Sequence, residues 1–536
     1  MTKKIKPIIV GCMAGCCVSA LLTACSDWSD HYDMGSSQGG SSLTLWQTME
    51  QQSQLSDFCE VLRQTKVFRQ HKKTSVSYAD VLNGGQSFTV LAPVNGTFNK
   101  DSLLQIVQTA QGDSVVEKKF VLNHLARTNY SDSEQEHEAR LANSKRITIG
   151  RGMVGDVKIL TPNLRASNGT LHLMQAAVPY NYNLYEAMTD LPQFASIGQY
   201  LRLYEEDYFD EVNSLSSGMV DGIPVYVDSV VIERNRLLEK IGLLNAEDST
   251  YWMVAPMSQG WQRAWQEAEQ YFVYDATVDK RDSLQQYWTN RALLDDAIFS
   301  LTVQSSPEDS LVSPQYNRRH PEYHVFYKPF AGGILSNANA IHCSNGTLYA
   351  TDEWAFRPEE TFFRYLKTEG EDLSYILDYT QCSYNSRIYS ADSVSENGYL
   401  DIVPSTATAN WTANFKVENT LAGTYDICAI LLPKSVYNPL APDLRPCKFR
   451  AQVSYFDADG KAQSFNCGNT TFTSDPLRVD TVVLAQGFTF PACNYDQINS
   501  KVSVKLTCNI LARETASYAR EMYLDCIYLR PTTKEE

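Results

Sequence analysis

Several groups of residues in this chain have side chains able to do chemistry. Gly150-Arg151-Gly152-Met153-Val154-Gly155 has the glycine spacing of a dinucleotide loop. Such a loop must open a helix, so that the pyrophosphate meets the helix N-terminus. Here the strand-like stretch Asp156 to Leu160 follows, and a hairpin turn is predicted instead. His320-Pro321-Glu322-Tyr323-His324 holds the residue types of a zinc hydrolase. That chemistry needs His-Glu-x-x-His on a helix, whereas here a proline follows the first His and the Glu is displaced. The sequence reads as a surface loop. His124 has the chemistry of a general base, but its helical neighbours are apolar and no motif places a nucleophile beside it. It is expected to be a core histidine holding a backbone hydrogen bond. Glu205-Glu206-Asp207, Asp295-Asp296 and Glu359-Glu360 are adjacent acids. Glycoside hydrolysis needs two carboxylates from separate places facing one cleft, so a solvated acidic surface is expected. Trp411, Tyr384, Tyr389 and Tyr399 lie near strand-like runs; aromatic faces suit the C–H faces of sugars, and these four are the sequence's candidate ligand-binding residues. No motif asks for a cofactor or a metal.

The 536 residues carry 62 acids against 46 bases, a formal charge of −16, with 43% hydrophobic residues. Such a composition is globular rather than disordered. The acidic balance argues against a nucleic-acid partner, because phosphates call for clustered Lys and Arg. At the N-terminus, Lys3, Lys4 and Lys6 precede an apolar run from Pro7 to Leu22, too short and broken to span a membrane, so residues 1–24 read as a secretory signal. Its removal makes the chain three charges more negative. Residues 25–42 include the Gly/Ser-rich stretch Gly35 to Ser42 and read as a flexible tether. Once the signal and Cys25 are set aside, nine cysteines remain, seven of them after residue 380 and none in a CxxC pair. A zinc site is therefore disfavoured, and buried thiols or one or two disulfides in the last domain remain open.

The elements expected to position these residues fall into three regions. Residues 43–71 are helical in pattern, Phe88 to Pro93 is a strand ending in proline, and Val115 to Leu125 is a helix with Val116, Phe120 and His124 on one face. Strands at Arg146–Ile149 and Asp156–Leu160 follow, then the turn Asn168-Gly169-Thr170 enters another strand. A weaker version recurs. Asn183 to Met188 opens it, Tyr251-Trp252-Met253-Val254-Ala255-Pro256 repeats the strand-to-proline segment, Leu284 to Ile298 replaces the His124 helix, and Asn345-Gly346-Thr347 repeats the turn, with an insertion before the Ala-Pro strand. From about residue 370 short strand-like runs that alternate with turns predict an all-β sandwich or jelly roll. The expected fold class is multidomain, α+β followed by all-β.

Phe88-Thr89-Val90-Leu91-Ala92-Pro93-Val94-Asn95-Gly96-Thr97-Phe98, then Leu122-Asn123-His124-Leu125, then Asn168 to His172 with Val178-Pro179, resemble in order the conserved segments of fasciclin domains. The second repeat keeps Ala255-Pro256 and Asn345-Gly346, has Met257-Ser258 for the usual polar pair, and lacks the helix His; it resembles a divergent fasciclin domain. Leu22-Thr23-Ala24-Cys25 resembles the bacterial lipobox, with Cys25 as the lipidated residue, and the following Ser and acids resemble the surface-export signal of Bacteroidetes lipoproteins. Asp101-Ser102-Leu103, Asp228-Ser229-Val230, Asp282-Ser283-Leu284 and Asp392-Ser393-Val394 are similar to O-glycan acceptor triplets of that group, or are ordinary turn residues. The resemblance implies a signal peptide at 1–24, a tether at 25–42, fasciclin domains at 43–181 and 182–360, and a β-sandwich at 370–536. It implies a non-enzymatic lipoprotein on the outer face of the outer membrane that serves in adhesion or binding. The implied partners are the membrane itself, a Sus-type importer made of a TonB-dependent transporter and its lid lipoprotein, or a glycan taken up by the C-terminal domain. A glycan-degrading enzyme is the remote alternative.

Overall fold

The computed structural model describes residues 42–69, 72–220, 223–304, 306–313, 324–390, 393–436, 440 and 443–532, and the backbone alone at 211–220, 223–231 and 469. The expected signal segment, Cys25, most of the tether, His320 to Tyr323, the side chains of Asp228 to Val230, and Asp392 lie outside what is described. The chain divides into two compact units, residues 1–180 and 181–536.

The first unit opens with helices α1 (Leu45–Glu50) and α2 (Ser56–Gln64), where continuous helix was expected to residue 71. The helix stops at Gln64 because the β-branched, alternating run beyond it pairs as a hairpin, β1 (Lys66–Arg69) with β2 (Lys72–Ser77). Helix α3 (Tyr78–Asn83) is followed by β3 (Phe88–Pro93), α4 (Lys100–Ile106) and α5 (Ala110–Val116). The expected Val115–Leu125 helix is interrupted: α5 runs into a π-turn at Glu117–Val121 and a 3-10 turn at Leu122–His124. Strands β4 (Leu125–Ala126), β5 (His137–Arg140), β6 (Arg146–Gly150), β7 (Met153–Val154), β8 (Val157–Ala166) and β9 (Gly169–Met174) complete a seven-stranded sheet in the order β4-β3-β9-β8-β7-β6-β5. Only β3 and β9 within it run parallel. Every residue of β3 is buried, as a central strand covered on both faces must be. The Gly150–Gly155 segment makes two successive tight turns, β6 to β7 and β7 to β8, with positive φ at Gly150, Gly152 and Gly155, and a strand follows it.

The second unit repeats the plan. Helices α6 (Leu184–Asp190) and α7 (Ala195–Arg202) are followed by a long hairpin, β10 (Glu205–Val220) with β11 (Ile223–Asn235), which is the expected insertion. After α8 (Leu238–Ile241) come β12 (Tyr251–Pro256), α9 (Ser258–Ala268) and α10 (Arg281–Leu294). Helix α10 ends before the expected Ile298, because β13 (Ile298–Ser300) pairs there with β12. A small hairpin, β14 (Ser310–Val312) with β15 (Val325–Tyr327), precedes β16 (Asn339–Cys343) and β17 (Gly346–Thr351). The sheet order is β13-β12-β17-β16, with β12 and β17 parallel.

The same small device closes both repeats. Asn168 accepts from the N–H of Leu45 (2.7 Å) and donates to the carbonyls of Leu82 and Gly84 (2.9 and 2.8 Å). Asn345 accepts from the N–H of Leu184 (2.9 Å) and donates to Leu244 and Ala246 (2.8 and 3.0 Å). The next residues, Gly169 and Gly346, have φ of 146° and 147°. A Cβ on either would lie 1.9 Å from the Phe88 carbonyl or 1.8 Å from that of Tyr251, so only glycine lets the parallel strands approach. The first helices also match: Thr44 and Asn183 each form a capping box with the residue three further on, Gln47 and Glu186.

The rest of the unit is β-rich. Strands β18 (Leu366–Glu369), β20 (Cys382–Ile388), β21 (Gly398–Pro404), β23 (Gly423–Leu432), β26 (Asp480–Phe490) and β28 (Met522–Pro531) form one antiparallel sheet. Strands β19 (Ile376–Thr380), β22 (Thr412–Lys416), β24 (Lys448–Phe456), β25 (Ala462–Thr473) and β27 (Ser503–Cys508) form a second. Both contribute to one hydrophobic core, which also takes in Phe272, Tyr274, Ala292 and Phe363 from the segment before residue 370. Lys501 reaches the buried Asp275 carboxylate at 2.5 Å, and the Cys493 N–H donates to the Val273 carbonyl at 2.7 Å. These contacts weld the second repeat to the β-rich region.

Candidate functional site

A cavity of about 580 Å³ lies in the second unit, among α7, α9 and α10. That is within the range of small-molecule pockets. Each helix presents one stripe to it. From α7 and the residues just past its end come Ser196, Gln199, Tyr200 and Leu203, spaced i, i+3, i+4, i+7. From α10 come Ser283, Gln286, Tyr287 and Asn290 with the same spacing. From α9 come two pairs one turn apart, Trp261 with Trp265 and Gln262 with Gln266. Tyr200 and Trp261 are buried and make the floor; Tyr204, Trp265 and Tyr287 are half-buried; the glutamines are exposed on the rim.

The aromatic groups are fixed by their neighbours. The Tyr204 hydroxyl donates to that of Tyr200 (3.3 Å), and their rings meet edge to face at 5.2 Å. The Tyr287 hydroxyl accepts from Arg291 Nη1 (3.1 Å) and from Lys240 Nζ (3.4 Å), so its own proton is left to donate elsewhere. Arg291 is held by Asp295 through two bonds of 2.6 and 2.9 Å, which offsets its charge. Burial pushes the Asp295 carboxyl up to about 6, against the pull of Arg291. Asn290 donates to the Gln286 carbonyl (2.6 Å), whereas Gln199, Gln262, Gln266 and Gln286 make no side-chain hydrogen bond among the described residues. Glu269 is the one acid or base among the lining side chains that carries a charge at neutral pH.

Sequence reasoning placed the ligand site elsewhere, and two of its four residues need correction. Trp411 is fully buried, its indole N–H bonded to the Arg520 carbonyl at 2.5 Å. Tyr399 is 1% exposed and packs against Tyr523. Neither ring has a face to offer a ligand: large apolar rings beside core strands are themselves taken into the core. Tyr384 and Tyr389 are half-buried, the first against Tyr379 and the main core, the second in a satellite cluster with Tyr399 and Tyr523. The four do not converge on one cleft. The groove was missed because its aromatics come from three helices far apart in sequence; the i, i+4 pairs Tyr200/Tyr204, Trp261/Trp265 and Gln262/Gln266 were its available signal.

The other candidates resolve into structure. His124 is buried, with Nδ1–H donating to the Phe120 carbonyl (2.7 Å) and Nε2 accepting from the Val178 N–H (2.9 Å). The Val178 bond needs the neutral ring, because Nε2 must keep its lone pair to accept, and burial pushes the pKa down to about 4 against the Phe120 bond. The adjacent acids face separate partners: Glu206 pairs with Arg234 and Arg236, Asp295 with Arg291, Asp296 with His324, and Glu360 with Arg357. Ser102 and Ser283 lie in the first turns of α4 and α10. The nine described cysteines are free thiols and seven are buried. Among the described residues there is no cluster of three or more His, Cys, Asp or Glu able to hold a metal, and no helix long and apolar enough to cross a membrane.

Comparison with known proteins adds the following. The chain resembles, among solved structures, the FAS1 domain pair of the insect cell adhesion molecule fasciclin I, at 9% identity and a TM-score of 0.19 over 51% of this chain and 90% of that one. It also resembles the CBM22-1 xylan-binding domain of Paenibacillus barcinonensis Xyn10C, at 12% identity and a TM-score of 0.21 over 32% of this chain and 96% of that one. No curated protein sequence matches the chain. The family model described as Fasciclin domain matches residues 56–178. Residues 56–178 of this chain are a fasciclin domain.

Proposed function

We propose that this chain is a non-enzymatic binding lipoprotein displayed on the outer face of a bacterial outer membrane. The lipid on Cys25 anchors it after removal of residues 1–24, and residues 25–42 hold the domains away from the bilayer. Residues 43–181 are the first fasciclin domain, residues 182–360 a divergent second one, and residues 370–536 a jelly-roll-like β-sandwich. The repeated Asn-Gly closure at Asn168-Gly169 and Asn345-Gly346 supports the second domain, and the two antiparallel sheets on one core support the third.

The observation that carries a binding role is the groove among α7, α9 and α10. Its lining is aromatic and amide, side chains that hold a ligand rather than activate one. Lipobox, acidic export signal and domain order together resemble accessory lipoproteins of Bacteroidetes Sus-type importers, so the cellular partner proposed is a TonB-dependent transporter with its lid lipoprotein.

The test is purification of the C-terminally tagged lipoprotein from solubilised outer membranes of its host, with mass spectrometry of what accompanies it. A transporter and lid lipoprotein in constant ratio are expected. Recovery of the protein alone contradicts the importer reading, and recovery from the soluble fraction contradicts the anchor.

A further inference from the structure

We infer that the groove among α7, α9 and α10 binds an uncharged saccharide chain, a ligand class that rests on the binding role proposed above. Three features of the lining converge on it.

The first is charge. Glu269 is the one carboxylate in the lining, and no Lys, Arg or His belongs to it; of the two cations that reach the Tyr287 hydroxyl from outside the lining, Arg291 is matched by Asp295 and Lys240 is exposed to solvent. The chain as a whole carries −16. A polyanion would gain no ion pair here and would meet a repulsive field, and a polycation would meet a single carboxylate.

The second is hydrogen-bond type. A sugar hydroxyl both donates and accepts, and so does a carboxamide. Gln199, Gln262, Gln266 and Gln286 rim the groove with their amides unused among the described residues. The Tyr287 hydroxyl, already accepting from Arg291 and Lys240, is oriented to donate.

The third is the alternation of ring and amide. Trp265, Tyr204 and Tyr287 expose part of their rings between those amides. A pyranose has the same alternation, with a C–H face and a rim of hydroxyls, and the rings can take the face while the amides take the rim. An amphipathic partner helix would need a continuous apolar stripe, which the four glutamines interrupt.

The experiment is affinity electrophoresis of the full-length lipoprotein, in a sugar-free detergent, through gels containing starch, galactomannan, mixed-linkage β-glucan or neutral arabinoxylan, with polygalacturonate as the anionic control. Retardation by at least one neutral polysaccharide, unchanged by added salt, is expected. Trp265→Ala should weaken it about tenfold. The double variant Gln262→Ala/Gln266→Ala changes only exposed side chains and should also weaken it about tenfold, with the melting temperature preserved. Migration unaffected by all four polysaccharides overturns the inference. So does retardation that survives both variants, or binding of polygalacturonate alone. A protein that co-purifies with a transporter yet ignores every neutral polysaccharide keeps the proposed role and loses this ligand; the opposite pair of results keeps the ligand and loses the importer.

Discussion

The two repeats share a skeleton and differ in what their helices do with aromatic rings. In the first, Phe58, Phe98, Phe120 and His124 pack on one another with ring centroids 4.7–6.0 Å apart. The buried imidazole there ties a helix end to the strand exit at Val178. In the second, Tyr200, Tyr204, Trp265 and Tyr287 stand around an open cavity of about 580 Å³ with amides between them. The strand order β4-β3-β9-β8 of the first repeat returns as β13-β12-β17-β16 in the second, and the Asn-Gly closure is shared. Even the substitution of Ser258 for Asn95 keeps its bond: Asn95 accepts from the Asp57 N–H at 3.0 Å, and Ser258 accepts from the Ser196 N–H at 3.4 Å. The sheet side of this fold is therefore constrained by backbone approach, whereas the helix side is free to exchange packing for an open groove.

The comparison can be broken hardest at its shared glycines. Gly169→Ala and Gly346→Ala each drive a Cβ into a strand carbonyl at positive φ, and each should cost more than roughly 5 kcal/mol. By hydrogen exchange, Gly169→Ala should unfold residues 42–180 alone. If both alanine variants keep native exchange, the closure is not what holds the repeats. Asn168→Ala and Asn345→Ala come next. Asn168→Ala leaves the Leu45 N–H and the Leu82 and Gly84 carbonyls without their partner, a loss of roughly 4 kcal/mol; after Asn345→Ala the Leu244 and Ala246 carbonyls keep the N–H groups of Tyr185 and Ser249, so chemical denaturation followed by exchange should find the smaller loss in the second repeat.

The pH response should separate the repeats. His124 is neutral when folded, with its pKa at about 4 instead of 6.5. The unfolded chain takes up a proton below pH 6.5 that the folded state refuses. His124 therefore leaves stability intact above pH 6.5 and lowers it by about 1.4 kcal/mol per pH unit down to about pH 4, roughly 3 kcal/mol in all. Denaturation of the first unit followed by exchange should show this slope, and His124→Asn should flatten it. A slope unaltered in that variant would assign the effect to other groups. The smallest effect sharpens the contrast from the other side. Gln262→Ala and Gln266→Ala should each change stability by less than about 0.5 kcal/mol, since both side chains are exposed and make no side-chain bonds within the described residues. A large loss would make them structural, and the groove a by-product of packing.

The legible parts of the sequence were those where backbone geometry leaves few choices. Asn168-Gly169 and Asn345-Gly346, the two Ala-Pro strands, the Gly150–Gly155 turns and the role of His124 all follow from local rules. The β-rich runs were also readable because they alternate with turns, as at Gly423–Leu432 and Lys448–Phe456. Long-range pairing was not readable. Gln64 ends a helix because Lys66–Arg69 finds a strand partner, and the π-turn at Glu117–Val121 goes with a glutamate that bonds Tyr78 and the Phe68 N–H. The union of the second repeat with the β-rich region depends on Phe272, Tyr274 and Asp275, which carry no mark in sequence of what they pack against. The burial of Trp411 and Tyr399 was not readable for the same reason. Strand aromatics such as Trp411 were chosen by proximity along the chain, while the groove assembles side chains from residues 196 to 290 through helix packing.

The most direct test is hydrogen exchange across both repeats in the presence and absence of whichever of the four neutral polysaccharides retards the protein most. Protection confined to peptides covering residues 195–204, 258–269 and 281–294, with none over 56–64 or 100–116, is the predicted result. Protection over the first repeat or the β-rich region instead, or no protection anywhere, would contradict the claim that the second repeat opened its helical layer to hold a ligand.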